Sequence, residues 1–163
     1  MVRVGIIGCG KIAQVRHIPE YLDNPNAKLT GLYDLNLQRA KDLAEKYGCK
    51  SYESVEEMLA DPEIDAVSVC VANHVHAEIT IAALKAGKHV LCEKPMATKL
   101  KDCQMMVDTA EQMGKKLMIG QNQRFAKAHA EAKKLIESGD IGSVLTFKTT
   151  FGHGGPETWS VDA

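Results

Sequence analysis

Gly8-Cys9-Gly10-Lys11-Ile12-Ala13 is the first stretch of the sequence whose residue types suggest chemistry. It follows the apolar run Val2 to Ile7, opens a helical pattern, and is answered by Asp34 about twenty residues further on, at the end of a second apolar run. In that context G-x-G-x-x-A reads as a dinucleotide-binding turn. Gly8 permits the tight turn, Gly10 lets the backbone approach a pyrophosphate, and Ala13 allows the helix to pack closely on the strand. The backbone of Lys11 and Ile12 then stands at a helix start, where amides and dipole favour phosphate. The Asp34 carboxylate can accept from both ribose hydroxyls of NAD but repels the 2′-phosphate of NADP, so NAD is the expected cofactor and NADP the disfavoured one. Arg39 lies close enough in sequence to bear on that choice; alone it reads as a solvated helix arginine.

Two further clusters come after later apolar runs, where open α/β sheets bind ligands. Asn73-His74-Val75-His76 comes after Asp65 to Val71. No third ligand stands at metal-binding spacing from the two histidines, so no metal site is expected. His76 either touches the cofactor or simply starts a helix. Glu93-Lys94-Pro95 comes after His89 to Cys92. Alone it would be a surface ion pair. Beside the glycine turn it points toward the crevice where a nicotinamide would lie, and a positive ring together with partial burial would favour the neutral amine. Lys94 then reads as a proton acceptor, with Pro95 stiffening the loop that aims it.

Such residues need a scaffold. Apolar runs at Val2 to Ile7, Lys28 to Asp34, Asp65 to Val71, His89 to Cys92 and Leu117 to Ile119 alternate with segments of period near 3.6. Unbroken runs belong to strands covered on both faces, and strand-helix-strand succession to right-handed crossovers. An α/β fold with a Rossmann-type doubly wound parallel sheet is expected. Helices are expected over Asn36 to Tyr47, His76 to Ala86 and Leu100 to Met113, each stopped by glycine, with a short one capped by Ser54 and Glu57. The tail changes character. Arg124 to Glu137 is helix-like, Gly139 to Gly142 a turn, and Val144 to Phe151 alternates like a strand of a half-exposed antiparallel sheet. Trp159, after Gly154-Gly155, reads as an aromatic packed under further structure or as the start of a substrate-side loop. Residues 1–122 are therefore read as a dinucleotide-binding domain, and 123–163 as the start of an incomplete α+β second domain belonging to a longer enzyme.

With 20 Lys+Arg against 21 Asp+Glu, the 163-residue chain lacks the charge imbalance that draws proteins to nucleic acid or anionic membranes. No run approaches the roughly 18 apolar residues of a membrane span, and Met1-Val2-Arg3 begins without a leader pattern. Five cysteines, odd in number and without C-x-x-C spacing, read as reduced thiols. A cytoplasmic protein with a small-molecule partner is expected.

GIIGCGKIA at 5–13, Asp34, ANHVH at 72–76, AGKHVLCEKPMA at 86–97 and GQNQRF at 120–125 together resemble the Gfo/Idh/MocA family of NAD(P)-dependent sugar and inositol oxidoreductases. The resemblance implies hydride transfer between nicotinamide and a secondary alcohol of a sugar, inositol or related polyol. It implies that Lys94 assists proton transfer, that Glu93, Asn73, His76 and Asn122 lie near the cofactor, and that Arg124 sits on the nicotinamide side. It further implies a larger antiparallel domain carrying the substrate pocket and the contacts of a homo-oligomer in the full-length protein. The histidine and acid that the family places there have no match before Ala163, and the family's usual proline before Asn73 is Ala72 here. A second reading stays open from the residues: a non-catalytic Rossmann module that senses NAD or a sugar ligand.

Overall fold

Ile6 and Ile7 are neighbours in sequence and both fully buried, which requires cover on both faces of the strand that carries them. In the computed structural model, which describes residues 1–150 and Gly152, that strand is β1 (Val2–Ile7). It lies within a parallel sheet of six strands, with β2 (Ala27–Tyr33), β3 (Lys50–Ser51), β4 (Ala66–Val69), β5 (His89–Cys92) and β6 (Leu117–Ile119), in the order β3-β2-β1-β4-β5-β6. After β3 the chain crosses back to lay β4 against β1, with Ile7 opposite Val69. The strand order therefore reverses between β1 and β4, and ligands of doubly wound sheets bind at such a point.

Alternation of side chains splits the core in two. Ile6 packs with Ala13, Ile18, Leu32 and Ala44, beneath α1 (Ile18–Asp23) and α2 (Leu37–Tyr47). Ile7 packs on the other face with Val69 of β4 and with Met58, Leu84 and Met106, from α3 (Val55–Ala60), α4 (His76–Lys85) and α5 (Leu100–Gln112). Helix ends obey local side-chain chemistry. Asn36 Oδ1 accepts from the Arg39 amide at 3.0 Å and starts α2, and Gly48, at φ 67°, stops it. Ser54 Oγ accepts from the Glu57 amide at 3.0 Å, but the Glu57 carboxylate takes the Glu53 amide instead of that of Ser54, so the capping box closes one residue early.

Three expectations change. β3 has no counterpart in the sequence pattern, because two residues paired to Gly31 and Leu32 carry no periodic signal. The strand expected at Val144 to Phe151 is not formed over 144–150, and Phe151 lies outside the described residues, as does Trp159. An alternating segment becomes a strand only when another strand takes its backbone groups, and no described residue does so. The last helix, α6 (Lys127–Ser138), begins three residues later than expected, after a 3₁₀ turn at Asn122–Phe125. Met1–Gly120 forms one compact unit, and a second begins at Gln121. Among the described residues no helix is long and apolar enough to cross a membrane.

Away from the ligand edge, Asp61 ties β3 to the end of α3. It accepts from the Glu63 amide (2.7 Å), the Tyr52 hydroxyl (2.8 Å) and Lys50 Nζ (3.0 Å). Those donors, the Glu63 amide foremost, hold its carboxyl down at about 2. A carboxyl depressed in the folded state contributes stability that is complete above its unfolded value of about 4 and disappears as pH falls below it. Replacing Asp61 by Asn should therefore lower the urea midpoint at neutral pH and flatten its decline between about pH 4 and 2. An unchanged acid decline would show that other carboxylates set it.

Candidate functional site

The glycine turn leaves β1 with Gly8 at φ 93°, its amide donating to the Tyr33 carbonyl at 2.8 Å. A Cβ on Gly8 would lie 2.6 Å from the Cys70 carbonyl oxygen and 2.9 Å from the Val71 nitrogen, so the loop after β4 closes against bare backbone there. Nothing lies within 4 Å of a Cβ built on Gly10, whose backbone faces open space. The two glycines thus serve different ends: one lets the protein close on itself, the other leaves room for a ligand. Helical backbone begins at Lys11, passes through a π turn at Ala13–His17 and continues as α1. Ala13 is fully buried against the sheet.

Asp34, at the end of β2, is only 8% exposed. Its Oδ2 accepts from the Cys9 amide at 2.6 Å and its Oδ1 from the Asn36 amide at 2.8 Å, while Arg39 Nη1 stands 3.5 Å from Oδ1. The carboxylate therefore shapes the glycine turn. Gln14, which belongs to no sequence motif, donates from Nε2 to the Cys9 carbonyl at 2.8 Å. It also lines a polar groove of about 370 Å³ with Asn36, Gln38, Arg39, Asp42 and Leu43. A groove of about 430 Å³ beside α5 and β6 is mainly apolar and contains none of the proposed site residues.

Across the switch point stands the Glu93-Lys94-Pro95 turn. The Glu93 amide continues the ladder to the Val69 carbonyl at 3.0 Å, and its Oε2 accepts from the Lys94 amide at 3.1 Å. Its Oε1 lies 2.9 Å from His17 Nε2. The hydrogen bond from His17 holds the Glu93 carboxyl below its usual range against the opposing effect of burial. Lys94 itself is exposed, which corrects the expected partial burial: its side chain leaves the turn on the open side. The Lys94–Pro95 peptide is cis. His76 is 1% exposed, with Nδ1 at 2.6 Å from the Pro95 carbonyl and Nε2 at 3.0 Å from the Val71 carbonyl, so it links the turn to the loop after β4. Asn73 and His74, just before it, are exposed.

The carboxyl ends of β2, β1, β4 and β5 thus gather Asp34, Gly8 to Ile12, Asn73 and His76, and Glu93 and Lys94 along one edge of one unit. Asn122 and Arg124 are exposed in the 3₁₀ turn of the second unit. His17 also lies outside every sequence motif; a lone histidine in the helix after a glycine turn is the one signal it offers. Cys9 and Cys70, near the turn, are free and buried, and burial pushes the Cys9 thiol up to about 12 and that of Cys70 well above its ordinary value. Neither supplies a thiolate nucleophile at neutral pH.

The glycine turn after β1, the acid at the end of β2 and the six-stranded parallel sheet define a dinucleotide-binding Rossmann domain. The family model of the oxidoreductase family with NAD-binding Rossmann fold matches residues 2–121, and the chain belongs to this Gfo/Idh/MocA family. It is 38% identical over 151 residues to a glucose-6-phosphate 3-dehydrogenase of Bacillus subtilis (strain 168), covering 93% of this chain and 42% of that protein. To a myo-inositol 2-dehydrogenase of Thermotoga maritima it is 34% identical over 150 residues, covering 91% of this chain and 45% of that one. Among solved structures, the 3-ketoreductase KijD10 of Actinomadura kijaniata, in complex with TDP-benzene and NADP, superposes with a TM-score of 0.79 at 32% identity, over 85% of this chain and 44% of that one. The chain therefore spans less than half the length of these relatives.

Proposed function

We propose that the complete protein is an NAD-dependent oxidoreductase that moves a hydride between nicotinamide and a secondary alcohol of a sugar, inositol or related polyol. One observation carries the reading: Lys94, exposed at the end of β5, shares a sheet edge with the open backbone of Gly10 and with Asp34. Bound NAD supplies the acceptor for a hydride at C4 of its nicotinamide. As the alcohol carbon gives up that hydride, the amine form of Lys94 takes the hydroxyl proton at Nζ, leaving a ketone. The Lys11 and Ile12 backbone at the helix start favours the pyrophosphate. Glu93, Asn73 and His76 border the cofactor; His76 does so by holding the Pro95 carbonyl. Residues 123–163 begin the domain that supplies the substrate pocket and the homo-oligomer contacts. The names of the relatives support a sugar or inositol substrate.

The test is the complete protein with NAD and a panel of myo-inositol, D-glucose, glucose 6-phosphate and a methyl glucoside, monitored by nicotinamide absorbance. Reduction with at least one polyol is expected. NAD binding without turnover on any of them would favour the sensing module instead.

Cofactor choice has its own expected result. The Asp34 carboxylate opposes a 2′-phosphate, and Arg39 beside it would attract one. Asp34→Ser should swing the NAD/NADP affinity ratio toward NADP by about 10- to 100-fold, the worth of one charge-assisted hydrogen bond. The ratio is the useful readout, because losing the Cys9 contact weakens both cofactors together. Calorimetric titration showing no swing would remove Asp34 from this role.

A further inference from the structure

We propose that His17 is a positioning residue that fixes the Lys94 turn through Glu93. This rests on Lys94 being the proton acceptor, and its support is geometric. His17 stands in the helix that leaves the glycine turn, and Glu93 comes directly after β5; 76 positions separate them, yet His17 Nε2 and Glu93 Oε1 are 2.9 Å apart. Both side chains are shielded, with 9% and 16% of their surface exposed. The carboxylate is shared: Oε1 faces His17, and Oε2 takes the amide of Lys94. Glu93 therefore carries a mechanical link from the helix that would hold the pyrophosphate to the residue that would take the proton.

The link is built from two local features. The Ile18 amide bonds to the carbonyl of Ala13, five residues back, so the helix makes a π turn between Ala13 and His17. One extra residue in a turn rotates the residues beyond it by about 100° relative to a regular α-helix. Here His17 ends buried and its neighbour Arg16 exposed. Gly120, after β6, completes the enclosure: a Cβ there would lie 3.3 Å from Glu93 Oε1. A carboxylate shut in this way costs desolvation energy that an apolar pair would avoid. What the arrangement supplies in return is one orientation of the turn. The opposite end of the turn is held by His76 at the Pro95 carbonyl, so both ends are pinned while the Lys94 side chain stays open.

Three substitutions separate positioning from packing. His17→Gln keeps an N–H donor near the place of Nε2, His17→Phe keeps ring volume beside Tyr21 without a donor, and His17→Ala keeps neither. In the complete protein, with whichever panel polyol turns over fastest, Phe and Ala should lower kcat about 10- to 100-fold, the scale of a small misplacement of a reacting group. Kd for NAD and KM for the polyol should stay within about twofold, and Gln should recover most of kcat. A second measurement needs no substrate: exchange of the Lys94 amide, whose acceptor is Glu93, should quicken about tenfold in the Phe variant and return in the Gln variant, with the β1 amides unchanged as a control for global opening. Full kcat in the Phe variant, no recovery with Gln, or Lys94 exchange that ignores position 17 would each overturn the proposal. If wild-type protein turns over no polyol, the functional reading fails, and the exchange experiment still decides whether His17 holds the turn.

Discussion

Lys94→Ala should lower kcat by about 10²- to 10⁴-fold, the usual contribution of a positioned acid-base group, while NAD affinity changes by less than about twofold. The turn's conformation is held from its backbone: the Lys94 amide by Glu93 Oε2, the Pro95 carbonyl by His76 Nδ1. Nothing beyond the Cβ of an exposed lysine is needed for that, so folding stability should move by no more than about 0.5 kcal/mol. Lys94→Arg sharpens the test. Arginine keeps the positive charge but does not give up its proton in proteins, so it cannot receive one from the alcohol. If Lys94 serves only as a charge beside the substrate, the Arg variant stays active. If it carries the proton, Arg should be nearly as slow as Ala. Turnover by the Ala variant within threefold of wild type would sink the catalytic assignment, whatever Arg does.

That experiment could be designed from sequence alone; the His17 experiment could not. The difference is one of range. Gly8, Gly10, Ala13 and Asp34 announce themselves because their spacing along the chain mirrors a local turn and the strand beside it, and the runs at Val2 to Ile7 and His89 to Cys92 correspond to β1 and β5 with the same bounds. Ser54 and Asn36 cap the helices after them for equally local reasons. His17 and Glu93 meet only because β1 and β5 flank β4 in one sheet, a fact of topology that no window of sequence contains. The same cause explains where pattern and strand part company. Lys50 and Ser51 become β3 through Gly31 and Leu32, while residues 144–150, with the better alternating pattern, form no strand. Pattern proposes a strand and pairing decides it. Lys94 is legible as chemistry but not in its exposure, which depends on which way a pinned turn faces.

The glycines of the turn should respond oppositely to one substitution. Gly8→Ala places a methyl group 2.6 Å from the Cys70 carbonyl oxygen, at φ 93°, where an L-residue is already strained. The obstacle is backbone of the segment after β4, so no side chain can swing aside. Left-handed backbone costs about 1–2 kcal/mol and overpacking about 1–3 more, and urea unfolding should report a loss of about 2–5 kcal/mol. Gly10→Ala meets nothing within 4 Å. Its unfolding midpoint should match wild type, since the added methyl touches no protein atom. The methyl group does fill the space through which the backbone would approach a pyrophosphate, so NAD affinity should fall by about 100-fold or more, some 2.7 kcal/mol. Weak binding by the Gly8 variant would be ambiguous, because a damaged turn loses every function at once. A Gly10 variant that is fully folded and blind to NAD would place the dinucleotide against that backbone. A Gly10 variant that binds NAD as wild type does would move the pyrophosphate elsewhere on the sheet edge, and with it the geometry that brings nicotinamide to Lys94.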